Sequence, residues 1–355
     1  MRDILLLLVL APGCIVTLRF PFVGAILWTW ISIMNPHRLT YGFMFDAPLA
    51  QLIALCILIG MLSSKERRSP FIGAPITWLV VFIVWMCLTT ALALYPEPSF
   101  LQLQKILKID LMVLVSAMLI RTRREMLVFT WVMTMSLAFY GIKGGIFTLL
   151  SGGGSRVYGP SGSYVEDNNA LAAALVIVVP MLRFLQTTLT NARYRLAMTG
   201  AMLLCCVSIL GSQSRGALLA VSSMLAVMWW RGRNKIITAA LVLSCGAAAL
   251  SFMPPEWWAR MHTIETYEED RSAMGRIHAW SMAVNLAKDR LVGGGFSIWN
   301  AATYAKYEPD APIVVSAHSI YFHMIGEHGF IGIFIYLCMW IATWMSAGWL
   351  RKNAG

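Results

Sequence analysis

Three side chains have the type and setting for phosphate or proton chemistry: Arg215, Arg276 and His318. Arg215 lies in Gly211-Ser212-Gln213-Ser214-Arg215-Gly216, between apolar runs at 196–211 and 216–230. As helices those runs reach only roughly 23–24 Å, short of the ~30 Å hydrocarbon core, so the turn is expected at or just below a membrane interface. A guanidinium at that depth either snorkels to headgroups or offers its planar fork to a diphosphate. His318, in Ser316-Ala317-His318-Ser319-Ile320-Tyr321, has an imidazole suited to taking a proton from a hydroxyl; the plainer alternative is a hydrogen-bonded interfacial residue. His323 and His328 follow at five-residue steps, about 140° apart around a helix, so the three do not converge on one ion and no metal site is expected. Arg276, in Gly275-Arg276-Ile277-His278-Ala279-Trp280, is a second phosphate clamp or a solvated surface residue.

Upstream, Lys143 sits in the apolar Tyr140-Gly141-Ile142-Lys143-Gly144-Gly145, and an intramembrane ionisable residue is a functional candidate by default. Residues 158–169 supply turn residues and then a helix cap, the expected role of Asp167 or Asn168. Arg156 and Glu166 in the same region are weaker candidates for acceptor binding.

The elements that must position these residues are set by composition. Of 355 residues 58% are hydrophobic and 13% charged, and the mean hydropathy of +0.68 is that of a chain built for lipid. The apolar runs are continuous rather than alternating, so an all-α transmembrane bundle is expected and a barrel is not. Runs at 4–18, 21–34, 47–62, 73–94, 104–120, 126–148, 169–185, 196–211, 216–230, 236–253 and 330–350 predict about eleven spans. The first 18 residues have the look of a signal peptide, but no small-residue cleavage site stands out, so the segment is expected to be retained.

The net charge of +11 could suggest nucleic acid, but the basic residues collect in loops. Lys65, Arg67 and Arg68, then Arg121, Arg123 and Arg124, then Arg193 and Arg195, then Arg231, Arg233 and Lys235, then Arg351 and Lys352 are placed in the cytoplasm by the positive-inside rule. Segments 95–99, 151–169, 211–216 and 254–318 then lie outside; the first two runs leave the side of the N-terminus open. The long outer segment 255–318 carries eight acidic and six basic side chains and one expected amphipathic helix. Ile277, Trp280, Val284, Ala287 and Leu291 would form its apolar stripe, with His278, Ser281, Asn285 and Asp289 on another face, and Gly293-Gly294-Gly295 would close it with a flexible turn. All seven cysteines fall in apolar runs without ligand spacing, so neither a disulfide framework nor a metal centre is expected.

Taken in order, Ser214-Arg215-Gly216-Ala217, Gly275-Arg276 with Trp280, Gly293-Gly294-Gly295-Phe296, Ala317-His318-Ser319-Ile320-Tyr321 and Glu327-His328-Gly329-Phe330-Ile331-Gly332 resemble the O-antigen ligase/polymerase family over about 195–335. One departure is Ser319, where the family often has asparagine. The motifs Met34-Asn35-Pro36-His37-Arg38-Leu39-Thr40-Tyr41-Gly42-Phe43, Tyr140 to Phe147 and Glu166-Asp167-Asn168-Asn169-Ala170 resemble the exosortase A system-associated O-glycosylation ligases. Two regions follow, 1–194 and 195–350, and relatives that run on past the final span imply a further C-terminal segment.

The resemblance implies a multi-pass protein of the bacterial inner membrane whose active site faces the periplasm. It implies a glycosyltransferase, without ATP, metal or other cofactor, that moves a glycan from a polyprenyl-pyrophosphate carrier to a glycan, lipid or protein acceptor. Arg215 and Arg276 would hold the diphosphate, which leaves readily once its charge is held, and His318 would act as base or orient the acceptor hydroxyl. Lys143, Arg156, Glu166 and Glu327 are the further substrate-binding candidates. A polysaccharide polymerase with the same donor is the alternative within the enzyme class. A lipid-linked glycan flippase is the alternative outside it, although the suggestive residues gather at the outer face and no internal repeat is visible.

Overall fold

A computed structural model describes residues 1–63, 69, 73–231, 235–255, 257–258 and 271–353. Among them the chain is helical, with no strand. In chain order the helices are α1 (Arg2–Arg19), α2 (Pro21–Met34), α3 (Leu49–Ser63), α4 (Ala74–Ala91), α5 (Pro96–Leu119), α6 (Arg123–Leu150) and α7 (Asn168–Thr187). Then follow α8 (Ala192–Gly211), α9 (Arg215–Arg231), α10 (Lys235–Ser251), α11 (Arg271–Asp289), α12 (Ala301–Tyr307) and α13 (Ile320–Asn353), and a 3₁₀ turn, Pro36–Leu39, follows α2.

Among the described residues five helices, α4, α6, α7, α8 and α13, are long and apolar enough to cross a membrane. This is fewer than the eleven runs suggested: α2 and α3 are apolar but have only 14 and 15 residues. Conversely α8 has 20 residues, about 30 Å, because its helix begins in the polar stretch around Arg193. The expectation that both runs flanking Arg215 fall short of the hydrocarbon core therefore fails for α8. The basic loop of Lys65, Arg67 and Arg68, Arg233 and positions 259–270 of the long segment lie outside the described residues.

The chain folds as two units interleaved in sequence, Met1–Glu66 with Ile120–Glu265, and Arg67–Leu119 with Thr266–Gly355. In the first unit α7 repeats apolar residues at helical spacing, so Leu171, Leu175, Val178, Leu182 and Leu185 are all buried. Asp167 caps this helix by accepting from Asn169 N at 2.9 Å and Ala170 N at 3.3 Å. Helix α6 lies so close to α8 that a Cβ on Gly145 would stand 2.2 Å from the Leu204 carbonyl, and one on Gly141 2.5 Å from Cys205 Sγ. The Tyr140 to Gly145 motif is thereby accounted for by packing: its glycines admit α8, and the Tyr140 hydroxyl donates to the Met34 carbonyl.

In the second unit α4 packs along α13, which breaks at Gly329 (φ 70°, ψ −174°). The segment after α11 fills that break. Gly294 N and Gly295 N donate to Gly326 O and Glu327 O, each at 2.9 Å, and a Cβ on Gly329 would lie 1.9 Å from the Leu291 carbonyl. Gly293-Gly294-Gly295 is thus a closely packed joint and not the flexible turn expected, because backbone meets backbone where a side chain would intervene.

Helix α11 forms where expected and buries Ala287 of the expected stripe, with Trp280 packed against the core, but the rest of its buried face is Ala279, Met282, Ala283 and Leu286, while Ile277 and Leu291 are exposed. The shift arises because the polar face is also engaged. His278 Nδ1 pairs with Glu308 Oε1 at 2.8 Å, Ser281 Oγ donates to Glu308 Oε2 at 2.5 Å, and Asn285 Nδ2 donates to Tyr307 O at 3.0 Å. The helix is held on two sides, by α13 and by α12, and Ile277 is left outside both.

Candidate functional site

In the first unit the α8–α9 turn is built into the interior. Gly211 ends α8 against Thr148, where a Cβ would come within 1.9 Å of the hydroxyl oxygen, and Gln213 adopts a left-handed φ of 54°. Ser212, Gln213 and Ser214 are buried, and each is bonded. Asn168 Nδ2 donates to Ser212 O at 2.8 Å, Gln213 Nε2 to Gly153 O at 3.2 Å, and Ser214 Oγ accepts from Ala217 N at 3.2 Å, capping α9. Arg215 is therefore the first residue of α9, half-buried, in a first turn without an acidic residue. A cation at the positive end of a helix opposes the macrodipole, and an anion placed there satisfies both.

Of the other candidates in this unit, Arg156 reaches the same turn, its Nε donating to Gln213 Oε1 at 3.3 Å. Glu166 closes its own loop, accepting from Ser161 Oγ at 3.2 Å and from Gly162 N at 2.8 Å. Lys143 is exposed, on the side of α6 away from the glycines that meet α8. Beside the 158–169 segment, Arg38 pairs with Asp46 at 3.1 Å, and burial, helped by the adjacent Arg38 and opposed by Asp46, pushes the His37 imidazole below its ordinary pKa.

In the second unit His318 lies two positions before the start of α13 with φ 47°, a left-handed conformation that costs a non-glycine residue of order 1–3 kcal/mol and persists only where neighbours impose it. The neighbours here are on the segment leading to it: Trp280 Nε1 donates to Ala317 O at 2.8 Å, Tyr304 OH donates to Val315 O at 2.6 Å, and Trp280 stacks on Phe322 at 4.8 Å. The imidazole is exposed at the rim of a cavity of about 720 Å³ walled by Leu79, Phe82, Met86, Ile106, Phe296 and Met324. The titratable groups among its lining include His318, His323, Glu327, His328 and Asp110, joined by the polar Gln102, Ser297 and Ser319.

Glu327 is buried and accepts from Trp299 Nε1 at 3.1 Å. His328 is fully buried, with Nδ1 2.8 Å from Thr89 Oγ1, and its Nε2 has no hydrogen-bond partner among the described residues. Asp110 Oδ2 is buried and unpartnered in the same sense. Arg276, in the second turn of α11, is half-buried, and its Nε is a buried donor without a partner among the described residues. A guanidinium N–H taken out of water without an acceptor loses more than a neutral donor would, so the arrangement favours an anionic guest.

Sequence reasoning missed Glu308, which organises the polar face of α11, as well as Asp110 and His328. Asp110 carried a usable signal, a lone carboxylate inside the apolar run 104–120. Glu308 carried none, since its partners lie about thirty positions away in sequence. Beyond the bundle, Tyr307 and then Lys306 hydrogen-bond the Asp289 carboxylate and hold it below the usual carboxylate range.

Apolar helices of membrane length, with arginine, histidine and carboxylate side chains at their ends, define a multi-pass membrane protein. The chain belongs to a family of unknown function, DUF5935, whose match spans residues 1–190, more than half its length. Residues 200–337 match the O-antigen ligase family and take in Arg215, Arg276, His318 and Glu327, which supports a glycan-transferring function of ligase type. No curated protein and no solved structure matches the chain.

Proposed function

We propose that the protein transfers a glycan from a polyprenyl-pyrophosphate carrier to an acceptor hydroxyl at the periplasmic face of the bacterial inner membrane. The observation that carries this reading is Arg276, whose buried Nε lacks an acceptor among the described residues and which lies within the stretch matching the O-antigen ligase family. A diphosphate supplies that acceptor, and holding its charge makes it a good leaving group. Arg215, against the positive end of α9, takes the same kind of anion. The roles are assigned residue by residue. Arg215 and Arg276 stabilise the departing diphosphate, and His318 orients or deprotonates the acceptor hydroxyl as it attacks the sugar carbon bonded to it. Arg156 and Glu166 are acceptor or glycan contacts in the first unit, where the exposed Lys143 is a further substrate-binding residue; Glu327 plays that part in the second.

The motifs shared with the exosortase A system-associated O-glycosylation ligases favour an O-linked acceptor. Neither ATP nor a metal enters the scheme. The test is conversion: the purified full chain in nanodiscs, given lipid-linked glycan and an acceptor, releases polyprenyl pyrophosphate and glycosylates the acceptor. Movement of the lipid-linked glycan across the bilayer without covalent change would make the protein a transporter instead.

A further inference from the structure

In the first unit, residues 156–168 form a braced loop of which the transfer scheme uses only Arg156 and Glu166. Both feet of the loop are tied to the turn that carries Arg215: Val157 N donates to Gly211 O at 3.1 Å, Arg156 Nε to Gln213 Oε1 at 3.3 Å, and Asn168 Nδ2 to Ser212 O at 2.8 Å. Between them the loop is closed as tightly as backbone permits. Gly159 N donates to Glu166 O at 3.0 Å, and a Cβ on Gly159 would stand 1.8 Å from the Val165 carbonyl. The tip rests on Arg38, whose guanidinium carbon is 3.5 Å from the position a Cβ would take on Gly162 and which is itself held by Asp46 and the Phe45 ring.

From this rigid support Tyr158 and Tyr164 project with 56% and 78% exposure, the two exposed large hydrophobic side chains of 151–168. The apolar residues beside them are turned away from solvent, Val157 and Pro160 buried and Val165 half-buried, so the exposed residues of the loop around them include Arg156, Ser161, Gly162 and Glu166 and not the apolar ones that accompany aromatics anchored in a membrane interface. Exposed rings on a loop that also carries Arg156 and Glu166, with Arg38 against its Gly162, offer the two kinds of face a sugar needs: its C–H face lies on a ring while its hydroxyls bond to carboxylate and guanidinium. Rings held in place before the ligand arrives lose little freedom on binding.

We infer that loop 156–168 docks the glycan of the lipid-linked donor, with Tyr158 and Tyr164 as stacking faces and Glu166 and Arg38 as hydrogen-bonding groups. The inference rests on the proposed donor reading, since a diphosphate held at Arg215 carries its first sugar directly on it, next to the turn to which the loop is tied.

The test compares two probes on the purified full chain in nanodiscs: undecaprenyl diphosphate without sugar, and the glycan-bearing polyprenyl diphosphate extracted from membranes of the native host. The native protein should bind both, the glycan-bearing one more tightly. Y158A combined with Y164A should weaken the glycan-bearing probe about tenfold and leave the bare one within twofold, and the paired Phe variants should retain most of the affinity. R215K should weaken both probes. Equal affinity of native and double-Ala protein for the glycan-bearing probe would overturn the inference and make the rings membrane-interface aromatics. Equal loss on both probes would overturn it by showing damage to the fold. Binding of the bare diphosphate with no gain from the glycan leaves the donor reading standing and removes the docking site, whereas binding of neither probe removes both.

Discussion

His318 combines a reactive side chain with a backbone conformation that its type does not favour, and the two can be separated. In H318G the left-handed φ of 47° is free of strain while the imidazole is gone, so the variant should melt at or above the native temperature and yet lose transfer by ~10²–10⁴. A purely structural histidine gives the opposite pattern, stability changed and turnover kept. H323A, which removes a ring tilted against Trp299 at 4.7 Å, should reduce turnover less. What the sequence could show at this scale was the identity of lone ionisable residues in apolar or re-entrant contexts, which is why Arg215, Arg276 and His318 stood out. It could not show that Arg276 Nε is buried without an acceptor, or that Glu308 and not the membrane surface receives His278, because both facts depend on contacts between distant segments.

Helix lengths and one helix break decide how the candidate residues are presented. Hydropathy located the apolar stretches but misjudged their ends, since α8 starts in polar sequence and α13 starts ten residues before its apolar run. The break at Gly329 was invisible as such: Gly326, Gly329 and the Gly293 to Gly295 run read as small residues, whereas they form one backbone joint. The prediction at this scale is that G329A destabilises the protein strongly, by more than the 1–3 kcal/mol of the unfavourable φ alone, because the added methyl also meets Leu291 O. Thermal melting of the purified protein in detergent reads this out. G200A, at a position where a Cβ meets nothing, should leave the melting temperature within a degree or two or raise it. Equal melting of G329A and native protein would mean that the joint does not exist in the folded chain.

For the whole molecule, composition and the alternation of basic loops give a topology that the helix list alone does not. From the sequence, the alternation predicts Arg67 and Arg124 in the cytoplasm and Ser161 and Thr303 outside. In intact cells, on a background lacking the native cysteines, a membrane-impermeant thiol reagent should label cysteine at the exposed position 161 but not at 67 or 124, whereas Thr303 is buried and would stay unlabelled on either side; the reverse pattern would invert the protein and move the proposed site to the cytoplasm. The helical class and the order of motifs were legible because lipid demands continuous apolar runs. The division into two interleaved units was not, because residues 67–119 pair with the C-terminal third through contacts separated by about two hundred positions, such as Ser99 Oγ to Phe296 O at 2.6 Å.

The central claim is that guanidinium groups, without a divalent ion, hold the departing diphosphate. Its most direct test is the turnover of purified R276K beside native protein, both in EDTA, with lipid-linked glycan and acceptor supplied. Lysine keeps the charge but has no N–H at the buried Nε position, and loss of one positioned donor to a developing anion is worth ~10²–10³ in rate. The account predicts full native activity in EDTA and a loss of that size in R276K. Near-native turnover by R276K, or native protein silenced by EDTA, would contradict it.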